Sequence, residues 1–248
     1  MIVDFHIHPQ RRDMLSPESR AYQDKFYVGR EDFYDRMLAS PETFLEFLKG
    51  EGVDYAVLLA DICPLIDSLT PNEYVAEFSR GRDNLIPFCN INPCITRDLA
   101  GELERLVVDM GFKGIKLYPS YQHFYPNQAR LYPLYYKAQE LKIPVMFHTG
   151  SSVFPGARIK YGDPIYLDDV AVDFPELVII QSHGGRGFWY ERASFLAQMH
   201  KNVYIDISGL PPRRLVDYFP NLESFKRRSS SAPTGPPSPT GLPPTSRR

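Results

Sequence analysis

Met1-Ile2-Val3-Asp4-Phe5-His6-Ile7-His8-Pro9 opens the chain: a short apolar run that carries two histidines and stops at a proline. Successive side chains alternate along a strand, so His6 and His8 share one face. Six more runs of this kind follow: YAVLLAD (55–61), LIPFCNIN (85–92), GIKLYP (114–119), PVMFHTG (144–150), LVIIQSHGG (177–185) and VYIDISG (203–209). Each is short and rich in Val, Ile, Leu or Phe, the pattern of a strand buried on both faces. From the second run on they recur about every thirty residues, the length of a βα unit. This periodicity fits a (β/α)8 barrel and an open doubly wound sheet equally well. The histidines favour the barrel. His6, His8, His148 and His183 lie at the C-terminal ends of runs one, five and six, and in a barrel those ends converge on one mouth. His123 and His200 do not lie at such ends.

Helix signals fill the gaps. Ser40-Pro41-Glu42 reads as a cap followed by a first-turn proline, with Gly50 and Gly52 as the stop. Thr70-Pro71-Asn72-Glu73 has the pattern of a capping box. A helix is expected from Thr96 to Met110, ending at Gly111, and others over about 127–142, 165–173, 187–200 and 211–218.

The 248 residues are 43% hydrophobic and 23% charged with net charge −2, which excludes collagen-like, coiled-coil and wholly disordered classes. Nothing in that balance calls for nucleic acid or an anionic membrane as a partner. No run is long enough to span a bilayer, and no basic segment leads into an apolar one, so neither a membrane span nor a signal peptide is expected. Cys63, Cys89 and Cys94 are too few and too irregularly spaced for a disulfide framework, and they read as reduced thiols of a cytoplasmic protein. The charge is uneven. Residues 226–248 hold five basic residues, no acid, six prolines and five serines, which leaves 23 basic against 30 acidic residues in 1–225. The expected organisation is one domain over 1–225 and a disordered tail over 226–248.

Two imidazoles on one face, joined by His148, can enclose a divalent metal, zinc being a good match for neutral imidazole. The metal would bring a bound water toward neutral pKa, and His183 would serve as general acid or base. Any one of these histidines alone reads more simply as a hydrogen-bonded core residue; four at the ends of three strands do not. Lys116, in the fourth run, can bind a substrate carboxylate or pair with an acid. Arg158, in the loop after His148, and Arg186, just after His183, are candidate anion partners. Tyr118, Tyr121, Phe124 and Tyr125 read as packing.

The HxH of the first run, the FHTG around His148 and the SHGG around His183 resemble the amidohydrolase superfamily over about residues 1–222. The likeness is to the amidohydrolase-related branch that includes aminocarboxymuconate semialdehyde decarboxylase. The resemblance implies a distorted (β/α)8 TIM-like barrel, with metal ligands at His6, His8 and His148 and a proton-moving His183. It implies a metal-dependent hydrolase whose metal-bound water attacks a C–N or C–O bond of a small molecule. In binuclear members a strand-four lysine, here Lys116, is carboxylated and bridges two metals, whereas the decarboxylase-like branch works with one metal and generally does without it. A non-oxidative carboxy-lyase of an unsaturated or aromatic carboxylate is the alternative, and family members often form homodimers. A phosphoesterase that also opens with HxH would need further His and acidic ligands, whose pattern is missing.

The family's last ligand is an Asp at the end of strand eight, in a Gly-Ser/Thr-Asp-x-Pro setting. Strand eight should begin near 230, where the serine-proline tail stands, so the barrel is expected to be incomplete there. A truncated, inactive chain is therefore a third functional reading. Asp206 on strand seven is a substitute acid that could approach the metal, but it reads first as polar support of its own strand. The tail also reads as a frame change near 225–228. Codons for Phe-Leu-Phe-Gly-Thr-Asp-Trp-Pro, with the first base dropped, can encode Ser-Ser-Ser-Ala-Pro-Thr-Gly-Pro, which is residues 229–236.

Overall fold

The computed structural model describes residues 1–25, 31–222 and 229–230. The expectation of a disordered tail therefore lies outside the described residues, apart from Ser229 and Ser230. All seven apolar runs form strands: β1 (Val3–Ile7), β2 (Tyr55–Leu59), β3 (Leu85–Cys89), β4 (Gly114–Leu117), β5 (Val145–Gly150), β6 (Ile179–Arg186) and β7 (Val203–Asp206). Ser229–Ser230 adds a two-residue β8. Each strand pairs in parallel with the next in sequence, as in Ala56 opposite Leu85, Ile115 opposite Val145 and Ser230 opposite Asp206. The order never reverses, so the sheet is a barrel wall and not a doubly wound sheet. Among the described residues β8 and β1 are not paired, and the barrel is incomplete at that seam. The sheet still curls far enough for His6 on β1 to reach Asp206 on β7, with Nδ1 2.7 Å from Oδ2.

Alternation along each strand builds two apolar layers. Ala56, Leu58, Ile115, Val145, Phe147, Ile179 and Val203 face the helices. Val57, Leu59, Phe88, Met146 and Ile180 fill the barrel interior. Gly114 lies under the Phe88 ring, where a Cβ would be 2.4 Å from it, so only glycine fits. Each such large apolar side chain contributes about 1.5–3 kcal/mol when fully buried. In β1 the register slips between Asp4 and Ile7, so Phe5 and His6 together oppose Val57. This bulge turns His6 toward the mouth next to Phe5, which stays in the interior layer.

The helix Pro41–Gly50 starts as expected, with Ser40 accepting from the Thr43 N–H. The expected 96–110 helix spans Leu99–Val108 and is capped by Asp98. The capping box at Thr70 does not form: the helix Asn72–Ser79 has no side-chain cap, and the Thr70 hydroxyl instead donates to Asp61. Thr70 is taken by an antiparallel pair, Asp61–Cys63 with Ser68–Thr70, that local capping patterns do not reveal. The expected 211–218 helix shrinks to a 3-10 turn at Pro212–Arg214 and a single turn at Leu215–Tyr218.

Candidate metal centre

The mouth is built from strand ends. His6 is buried by β1, and His8 follows at its end. The two rings lie 5.3 Å apart, His6 is 4.8 Å from His183, and His148 is 4.9 Å from His183. The four histidines singled out by their strand-end positions thus meet in one chain of ring contacts. One ligand atom each from His6, His183 and Asp206 lie within 4.8 Å of one another. His8 and His148 stand just outside that tight group.

The second nitrogens show how the rings are held. His183 Nδ1 is 2.8 Å from the Ser208 carbonyl, which can only accept, so Nδ1 carries the proton and Nε2 the lone pair. His6 Nδ1 donates to Asp206, and His8 Nδ1 lies 3.4 Å from Asp61. Asp61 is itself held by Ser68 and Thr70. His148 Nε2 is buried with no hydrogen-bond partner among the described residues. Burial, reinforced by the nearby cation Lys116, pushes His6 and His148 well below the usual histidine range. His183 falls too, by burial and by Arg186. Rings held neutral, with Nδ1 engaged by carboxylate or carbonyl, are the usual arrangement of metal-binding histidines. The orphaned His148 nitrogen needs a partner of that kind, so these residues fit a divalent metal.

His183 has φ +62, a left-handed conformation costly for a side-chain-bearing residue, and Gly184 and Gly185 continue it with φ 51 and 72. Such strain is retained where surrounding contacts over-determine it, often at functional sites. Gly150, at φ +90, closes the other side, where a Cβ would stand 2.3 Å from the Arg186 nitrogen.

Lys116 is fully buried, and its ammonium bonds Ser182 Oγ and lies 5.4 Å from the Tyr118 ring. Burial drives its pKa down to about 7. Arg186 donates to the Ser151 carbonyl at 2.9 Å. Arg158 is exposed, outside the histidine cluster. Tyr118 and Tyr121 pack as expected, but they also wall the site, with the Tyr121 ring 4.6 Å from His148. Asp206 is more than strand support: its two oxygens accept from His6 and from the Ser208 hydroxyl and N–H. Burial raises it to about 6, and the Ser208 bonds oppose that rise. Sequence reasoning missed Ser208, Ser182 and Asp61. The one signal available was position: Asp61 and Ser208 lie two residues beyond the ends of β2 and β7, and Ser182 immediately precedes His183 in β6.

Comparisons with known proteins agree with this architecture. A 2-keto-4-carboxy-3-hexenedioate hydratase of Sphingobium sp. is 32% identical over 122 residues, 42% of this chain and 36% of the hydratase, so the match spans about a third of that relative. An uncharacterized TIM-barrel protein from Bordetella bronchiseptica superposes with a TM-score of 0.73 at 21% identity, covering 94% of this chain and 85% of the other. A 5-carboxyvanillate decarboxylase from Novosphingobium aromaticivorans, complexed with manganese, gives 0.64 at 16% identity, covering 95% and 86%. The profile of the amidohydrolase family matches residues 3–237, nearly the whole length, and the chain belongs to the amidohydrolase family.

Proposed function

We propose that this chain is a metal-dependent enzyme of the hydrolase type, in which water attacks a polarised carbon of a small carboxylate. The observation that carries this reading is the convergence of four histidines, with His148 Nε2 buried and without a partner among the described residues. His6, His8 and His148 are the proposed ligands of a divalent ion, zinc by donor type, with manganese the alternative suggested by the decarboxylase neighbour. When bound, such an ion polarises substrate oxygen and makes water a stronger acid. His183, locked by the Ser208 carbonyl, presents Nε2 to take or return a proton. Arg186 makes no ion pair among the described residues and supplies charge for a substrate carboxylate, and Lys116 adds to it in its protonated form. Arg158, on the loop after β5, is proposed to cover the bound substrate. The hydratase relative supports water chemistry.

A carboxy-lyase is the second reading, favoured by the burial of the Lys116 amine and of His183 in one site. There the positive charge of Arg186 and of protonated Lys116 would hold the carboxylate, and His183 Nε2, after taking a proton from water, would deliver it to the carbon that loses carbon dioxide. The free cysteines suit a reducing cytoplasm, and a homodimer is the proposed assembly.

The test loads the protein with zinc or manganese, counts metal per chain, and offers unsaturated and aromatic carboxylates in oxygen-18 water. Metal-dependent label uptake supports the first reading, and metal-dependent carbon dioxide release supports the second. The intact mass reports whether Lys116 carries a carbamate, which would favour bridging over substrate binding. A protein that retains metal yet gives neither product across the panel would overturn both readings.

A further inference from the structure

We propose that Ser208 is the positioning residue that holds His6, His183 and Asp206 in one fixed arrangement. The proposal rests on the metal-centre reading and extends it to a residue outside the ligand set. Ser208 lies just beyond β7 and is fully buried. Every polar atom it owns is used within the cluster. Its N–H donates to Asp206 Oδ1 at 3.0 Å, closing a tight turn from Asp206 to Ser208. Its hydroxyl hydrogen goes to Asp206 Oδ2 at 2.5 Å. The hydroxyl oxygen stands 3.0 Å from His6 Nδ1 and 3.1 Å from His183 Nδ1, so both rings lean on one atom. Its carbonyl accepts from His183 Nδ1.

The accounting explains why serine suits this place. A hydroxyl offers one donor and two lone pairs. Here the donor satisfies a buried carboxylate, and the oxygen stands within reach of two Nδ1–H groups, whose protons it shares with Asp206 and with its own carbonyl. Alanine would leave Asp206 Oδ2 with His6 as its remaining donor. It would also remove the atom shared by the rings of β1 and β6, two strands that do not pair with each other among the described residues. Outer-shell partners of this kind typically change metal affinity by about 10–100-fold.

The experiment compares Ser208→Ala and Ser208→Thr with the wild type, metal-free and then titrated with zinc and with manganese. Imidazole nitrogen spectra of the metal-free proteins are recorded alongside melting temperatures. The wild type should show sharp Nδ1-protonated signals for His6 and His183. Ser208→Ala should broaden the His6 signals and weaken metal binding about 10–100-fold, and Ser208→Thr, which keeps the hydroxyl, should restore both. A merely structural role would lower the melting temperature and leave the spectra and the affinity of the folded protein unchanged; that result overturns the proposal. If Ser208→Ala does not fold, Ser208→Cys, which keeps the volume and weakens the hydrogen bonds, gives the same comparison. If the wild type takes up no metal, the functional reading fails, and the metal-free spectra still decide the role of Ser208.

Discussion

Lys116 is fully buried, bonds Ser182, and makes no ion pair among the described residues. An ammonium in the protein interior needs pairing or neutralisation, and here the amine is driven down to about 7 from its ordinary 10.5. Between those values the unfolded chain binds a proton that the folded chain does not. Stability therefore rises with pH across that window, by up to about 1.4 kcal/mol per pH unit from this group. Below the window both states are protonated and the folded state carries the full cost. Lys116→Met should remove this slope and be more stable than the wild type at neutral pH. Urea midpoints of both proteins at about pH 7.5 and about pH 9.5 check it. Parallel midpoints would show that Lys116 stays charged in the fold, paired by an acid.

The strand ends of β5 and β6 are where backbone shape serves the site. Gly150 ends β5 with a left-handed backbone, and the Arg186 backbone lies against it, so that no Cβ fits between them. Gly150→Ala should cost about 2 kcal/mol or more, from the unfavourable φ and the clash together. Thermal unfolding reads the stability, and the His148–His183 contact should loosen with it, because these two strands carry the two rings. A wild-type melting temperature would mean that the β5 end moves freely, contrary to this packing. The bulge in β1 plays a comparable part for His6, since an unbroken register would have left Phe5 alone opposite Val57.

For the molecule as a whole, the decisive place is the seam between β1 and β8. Ser229 and Ser230 pair with Ile205 and Asp206, so the chain reaches the slot of strand eight with two residues of strand. We propose that the natural message encodes Phe-Leu-Phe-Gly-Thr-Asp-Trp-Pro there, with Phe-Leu-Phe in place of Ser229, Ser230 and Ser231. Reading the gene across codons 220–248 checks this directly. An open shifted frame with that sequence would supply an apolar strand and a further acid at the mouth. A protein carrying it should bind metal more tightly than this chain and associate less through exposed strand edges. A gene with no such frame rules the proposal out and leaves Asp206 as the acid of the site.

Much of this was legible in the order of residues. Seven apolar runs at βα spacing predict the parallel sheet, because strands buried on both faces must be apolar along their whole length. Histidines at the ends of those runs predict a shared mouth, because parallel strands of a barrel deliver their C-terminal ends to one side. What only the tertiary structure decided is how the rings are held and which acid serves them. Asp206 and His6 are 200 residues apart and meet because the sheet curls. Ser208, Asp61 and Ser182 look like ordinary polar residues in the sequence, since their importance lies in lone pairs aimed at partners from other strands. Thr70 matched a cap pattern and was drawn instead into a hairpin contact, because local preferences give way where a buried carboxylate needs donors. Patterning along the chain records which residues must be buried; hydrogen bonds across the barrel, made between residues far apart in sequence, leave no such periodic trace.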